Sequence, residues 1–148
     1  MSIYNHILVP VDDSPVSYAA AEHALALAKE LNAEVTIMCV IAVDPFVGVD
    51  FYKAAPAVTD YFMHAEENAR NRLKDLTLNF ERDKVKVNTK IIHGVAPSDG
   101  IIAVADEVNA DLIIMGSHGH TGFKKLVLGS VAQNVLTNSH LPVLVVKV

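Results

Sequence analysis

The chain carries a single cysteine, Cys39, in 148 residues, which excludes an internal disulfide and fits a reducing compartment, the cytoplasm. It has no surplus of basic residues: 12 lysines and arginines stand against 17 aspartates and glutamates, a formal net charge of −5. That balance argues against general nucleic-acid binding and against attraction to an anionic membrane surface. No apolar run approaches the roughly 18 residues that would span a bilayer. The opening residues, Met1-Ser2-Ile3-Tyr4-Asn5-His6, lack the basic segment and apolar stretch of a secretion signal, so none is expected. Internal repeats, linkers and low-complexity tracts are missing as well. What is present is 51% hydrophobic and 20% charged, over a length that suits one globular domain spanning 1–148.

Apolar strand patterns alternate with helical ones along the chain. His6–Val11 is a nearly continuous apolar run, as expected of a strand covered on both faces, with Pro10 placed near its end because it has no ladder N–H. Asp12-Asp13 closes it. Ser14-Pro15 then reads as a helix start, a capping side chain followed by proline at the first helical position. Val16, Ala20, Ala24, Leu27 and Leu31 share one face of that helix, and Asn32 stops it. Glu34–Ile41 is a second strand, in which Cys39 reads as a small core residue rather than a reactive thiol. The stretch from Ala42 to about Val58, with Pro45, Gly48 and Pro56, is irregular, and a loop of that length suggests a lid or a mobile segment. A long helix follows, with Phe62, Ala65, Ala69, Leu73, Leu76 and Phe80 at helical spacing and His64 on its solvated side. Lys84–Ile92 alternates lysine and valine, which marks a half-exposed edge strand guarded by its lysines. Pro97 opens a third helix, with Ile101, Ile102, Ala105 and Val108, that ends at Asn109. Asp111–Met115 is a fourth strand, Ser130 begins a fourth helix with Val131, Val135 and Leu136, and Leu141–Val148 is a strongly apolar fifth strand. Such an alternation predicts an α/β fold with a parallel five-stranded sheet, order 3-2-1-4-5, right-handed crossovers and helices on both faces.

Between the fourth strand and the fourth helix lies a glycine-rich stretch in which Gly116, Gly119 and Gly129 are spaced G-x2-G-x9-G, with Ser130 next. A strand, a glycine loop and a helix N-terminus in that order suit an anion, because unpaired N–H groups and the positive end of the helix dipole point outward. The spacing is neither that of a Walker A loop nor that of a Rossmann G-x-G-x-x-G. Taken alone it admits a plainer reading: turn and cap glycines, with Ser130 and Gln133 as an S-x-x-Q capping box. Ligands in such sheets sit beyond the carboxyl ends of the strands where the strand order reverses. There strands one and four are neighbours, so Asp12 and Gly116 fall in one crevice, and a nucleotide phosphate is the expected guest.

Val9-Pro10-Val11-Asp12 with its following serine, Leu112-Ile113-Ile114-Met115-Gly116-Ser117-His118-Gly119, Gly129-Ser130-Val131 and the terminal Pro142-Val143-Leu144-Val145-Val146 resemble the universal stress protein family. The similarity covers essentially the whole chain. It implies a Rossmann-like, adenine nucleotide alpha hydrolase-like fold and an ATP-binding member, with Mg²⁺ accompanying the nucleotide. In that case Asp12 contacts the ribose or a phosphate-bound metal, and Pro10, Val11, Val40 and Met115 surround the adenine. Gly116, Gly119, Gly129, Ser130 and Val131 hold the phosphates through backbone N–H groups and the serine hydroxyl, with Ser117 and His118 in the same loop. From the residues alone, Asp12 also suits a turn, and Val40 and Met115 suit plain core. His118 and His120 lack a third ligand and do not define a metal site. The resemblance further implies a homodimer through the C-terminal strand, whose apolar edge needs a cover.

The leading expectation for function is a nucleotide-dependent regulatory module acting on a protein partner that the sequence does not identify. A slow ATPase or self-phosphorylating protein is the competing enzyme reading, but phosphoryl transfer needs a placed base and a cation on the developing charge. The loop offers Lys124 and Lys125 and no arginine. A receiver domain, suggested by Asp12-Asp13, would need an acceptor aspartate after the third strand, where the chain has Ile92-His93-Gly94.

Overall fold

The structure, a computed structural model, describes residues 3–41, 56–118 and 128–147. Strands and helices alternate: β1 (His6–Pro10), α1 (Pro15–Leu31), β2 (Glu34–Ile41), α2 (Pro56–Arg82), β3 (Val87–His93), α3 (Pro97–Glu107), β4 (Leu112–Gly116), α4 (Ser130–Asn138) and β5 (Val143–Val146). The sheet is parallel throughout, in the order β3-β2-β1-β4-β5. Ile7 lies opposite Val35 on one side and Leu112 on the other, so β1 and β4 are adjacent at the point where the order reverses. Among the described residues no helix is long and apolar enough to cross a membrane.

The continuous apolar runs have a simple cause: alternate residues of each strand feed two cores. Ile7, Val9, Val35, Ile37, Leu112 and Ile114 pack with α1 and with Ala69, Leu73, Leu76 and Phe80 of α2. Leu8, Met38 and Ile113 pack on the other face with Ile101, Val104 and Ala105 of α3 and Ala132 and Val135 of α4.

Several boundaries differ from the sequence pattern, each for a local reason. β3 starts at Val87 rather than Lys84, because α2 runs to Arg82 and Lys84 adopts a left-handed φ of 61°. There the N–H of Val85 reaches the carbonyl of Phe80 and that of Lys84 reaches Glu81, a Schellman ending. Asn32 and Asn109, with φ of 55° and 58°, end α1 and α3 in the same way. β5 is confined to Val143–Val146, and β4 begins at Leu112. On α4 the buried stripe is Ala132 and Val135, while Leu136, expected on that face, is 43% exposed. Most of the Ala42–Val58 stretch lies outside the described residues, and α2 begins within it, at Pro56.

Candidate functional site

The strand alternation continues to the carboxyl edge of the sheet. Pro10, Val40 and Met115 follow Leu8, Met38 and Ile113 onto the α3/α4 face, whereas Val11, Cys39 and Ile41 fall on the α1/α2 face. On the α3/α4 side a cleft of about 140 Å³ opens beyond β1 and β4. Its floor is Pro10, Val40 and Met115, and its walls are Pro97 and Ile101 of α3 with Val131 and Ala132 of α4. Val11, Asp12, Ser14, Ser17, Gly116 and His118 complete the lining. Among these, Asp12 and His118 are the only side chains with an ionisable group. The interior is thus an apolar slot with a polar rim, which suits a flat heteroaromatic ring carrying a polar tail.

Asp12 is held by the turn that follows it. Its N–H donates to Ser17 Oγ at 2.7 Å, and its Oδ1 accepts from the Ser14 N–H at 2.8 Å and from the Ser14 hydroxyl. Ser14 therefore occupies the N-cap position of α1 without capping it: its hydroxyl orients the Asp12 carboxylate instead of binding a helix N–H. The turn reading and the site reading of Asp12 are compatible, since the turn fixes where the carboxylate stands.

The described part of the glycine loop is shaped by close approach. A Cβ on Gly116 would stand 2.8 Å from Val16 Cγ1, so glycine lets α1 press against the end of β4. A Cβ on Gly129 would stand 2.9 Å from His118 Cα, and the Gly129 N–H donates to Ser117 O at 2.7 Å. Gly129 is thus a clasp between strand end and helix start, and its N–H is already engaged. Ser117 is buried, donates its N–H to Val146 O at 2.8 Å, and shares a 3.0 Å hydrogen bond between its hydroxyl and His118 Nδ1. Ser117, Gly129 and Ser130 stand outside the cleft lining and support it. Gly119 lies outside the described residues, as do His120, Gly122, Lys124 and Lys125.

The expected capping box fails on geometry. Gly129 is the N-cap and Ser130 the first helical residue, so the S-x-x-Q pattern is shifted by one position. The first intrahelical bond runs from the Gln133 N–H to Gly129 O, which leaves the N–H groups of Ser130, Val131 and Ala132 ahead of it. None of the helices α1, α3 and α4 has a side-chain cap hydrogen bond at its N-terminus. All three begin at the carboxyl edge of the sheet, so uncapped donors and positive dipole ends gather around the cleft.

Four lining residues belong to no motif: Ser17, Pro97, Ile101 and Ala132. Pro97 and Ile101 are one helical turn apart, a face-sharing signal that the sequence displays, but only the fold brings that turn over β1 and β2. Cys39 is buried on the opposite face; burial pushes its thiol up from its ordinary value, opposed by the adjacent Arg72, so it is a poor nucleophile.

A sequence profile of the universal stress protein family matches residues 3–147. Universal stress protein MJ0531 of Methanocaldococcus jannaschii is 39% identical over 146 residues, covering 99% of this chain and 84% of that protein. The solved structure of protein MJ0577, whose curated sequence is a universal stress protein of the same organism, superposes with a TM-score of 0.78 at 32% identity and covers 99% of this chain and 97% of its own. A universal stress protein solved in complex with cAMP superposes with a TM-score of 0.72 at 27% identity, covering 99% of each chain. The chain belongs to the universal stress protein family.

Proposed function

We propose that this chain is an ATP-binding regulatory module of a stress response, in which nucleotide occupancy sets its conformation or its association with a protein partner. The observation that carries the reading is the convergence at the β1/β4 junction of an apolar slot, an oriented carboxylate at Asp12 and three uncapped helix N-termini. The adenine would lie on Pro10, Val40 and Met115, with Val11 beside it and the ribose hydroxyls on Asp12. The phosphates would point to Gly116, His118 and the first turn of α4, where Ser130 and Val131 supply donors, and the reading extends them to Gly119. The complex of a related universal stress protein with cAMP supports an adenine nucleotide as the guest. Mg²⁺ would arrive with the phosphates, and the Asp12 carboxylate has the donor chemistry to meet it.

The reading places regulation ahead of catalysis. The described lining has no arginine and no lysine, and its donors favour phosphate in the ground state as much as in a transition state. It also treats 1–148 as one cytoplasmic domain that forms a homodimer by pairing Val143–Val146 about a two-fold axis. Leu144, 38% exposed on that edge strand, supports such a cover. A Val145→Lys variant should then be monomeric by sedimentation equilibrium, and an unchanged dimer would remove this contact.

The deciding experiment is mass spectrometry of the small molecules released by denaturing freshly purified protein, followed by ATP titration of the nucleotide-free chain. An adenine nucleotide in the release, or saturable ATP binding, is expected; the absence of both would refute the reading. Single-turnover hydrolysis with Mg²⁺ separates switch from enzyme: turnover near the enzyme median of roughly 10 per second would favour the enzyme.

A further inference from the structure

The opposite face of the same sheet edge carries a second crevice, of about 360 Å³, between the ends of β1 and β2 and the helix α2. Its strand side is Val11, Cys39 and Ile41, the alternate residues to those that floor the first cleft. Its helix side carries a polar stripe, His64, Asn68 and Arg72, at successive i, i+4 positions of α2. Ala65 and Ala69 stand beside that stripe. Further down the same helix Leu73, Leu76 and Phe80 carry its buried face into the core against the sheet. Small residues and a polar stripe on an otherwise core-facing helix mark a place built to stay open.

Arg72 is the incomplete member of this set. Its Nη1 donates to Cys39 Sγ at 3.8 Å, and the Tyr18 hydroxyl also hydrogen-bonds to the guanidinium. Its Nε is buried and has no hydrogen-bond partner among the described residues. Arg70 meets Glu66 and Lys90 meets Glu107, whereas Arg72 has no ion pair among the described residues. Burial works against its charge, but the Cys39 and Tyr18 hydrogen bonds more than offset that and raise its pKa, so the guanidinium stays protonated. The guanidinium is half-buried, and its unmet Nε–H is a cost that an acceptor lying in the crevice would remove.

We propose that this crevice is a second ligand site, for a small molecule bearing one carboxylate, which Arg72 receives with its planar N–H fork while Asn68 and His64 flank it. Guanidinium geometry matches a planar carboxylate through two parallel N–H donors. Asp12 and Asp13 line the same crevice, and their negative charge disfavours a second anionic group on the guest and favours a monocarboxylate over a phosphate. The site is separate from the nucleotide cleft but shares Val11, Asp12 and Val40 with it.

The test is ¹H–¹⁵N NMR of the arginine Nε–H signals of the full chain without nucleotide, titrated with sodium acetate and, separately, with inorganic phosphate at constant ionic strength. The Arg72 signal should move downfield and saturate with acetate, at lower concentration than with phosphate, while Arg70 and Arg82 do not saturate. In Arg72→Lys, the accompanying saturable shift of the Ala69 amide should disappear with ATP affinity retained. A linear drift common to all three arginines, or saturation in Arg72→Lys as in wild type, would overturn the site. Tighter binding of phosphate would overturn its carboxylate preference. The wild-type titration decides the matter even if the variant does not fold, and because it is run without ATP its failure leaves the nucleotide reading untouched.

Discussion

The two ends of the sheet are finished in opposite ways. At the amino end the groups satisfy one another: the Asn5 and His6 N–H groups both donate to the Asp111 carboxylate, at 2.8 and 3.0 Å. His6 Nε2 and Thr36 Oγ1 share a 2.7 Å hydrogen bond, and Glu34 lies 3.5 Å from both His6 and Lys86. Three of the helices that finish there, α1, α2 and α3, end through left-handed residues at Asn32, Lys84 and Asn109, whose turns satisfy terminal carbonyls. At the carboxyl end α1, α3 and α4 begin without side-chain caps, and a cleft lies between them. Hydrogen bonds close one end of the sheet, and helix donors are left without side-chain caps at the other, where the proposed site lies.

Substitutions at the two ends should therefore separate affinity from stability. The largest effect is expected at Gly129. In Gly129→Val the new side chain collides with His118 Cα and Ser117 O and pushes the first turn of α4 away from the cleft. Losing two hydrogen bonds to charged phosphate, roughly 1.5–3 kcal/mol each, lowers ATP affinity about a hundredfold or more, measured by calorimetry on a variant that circular dichroism shows folded. Next comes Asp111→Ala at the closed end. It removes the acceptor of one exposed and one part-buried backbone N–H and should cost about 1–2 kcal/mol of unfolding free energy in urea titration, with ATP affinity unchanged; a parallel fall in affinity would break the division. Lys84→Gly relieves a left-handed residue that carries a side chain and should stabilise the fold by about 0.5–1 kcal/mol, read as a higher Tm. Lys86→Ala removes an exposed ion pair and should change stability by less than about 1 kcal/mol. A larger loss would mean that the Glu34 cluster is a network rather than a set of weak pairs.

The sequence displays the fold clearly because β1, β2 and β4 are apolar on both faces and proline opens α1 and α3. Strand neighbours followed from chain topology, and so did the pairing of Asp12 with Gly116. Finer features were hidden where two local patterns give the same letters. Ser130-x-x-Gln133 reads as a capping box, yet the chain enters α4 one residue earlier because Gly129 can lie against His118. Ser14 looks like a cap, but its hydroxyl donates to Asp12 and accepts from no helix N–H. Lys84 reads as strand because nothing in its side chain announces a left-handed turn. Ser17, Pro97 and Ile101 were illegible as site residues, since only tertiary packing brings those helix starts beside β1. The polar stripe of α2 was visible as His64 alone, because its meaning depends on which strand residues it faces.

Hydrogen–deuterium exchange with and without ATP tests the central division most directly. Binding at the open end should slow exchange in residues 10–17, 97–101, 115–118 and 129–132 while leaving 32–36, 84–88 and 109–112 unchanged. Protection centred on the amino end, or no protection anywhere at saturating ATP, would contradict it.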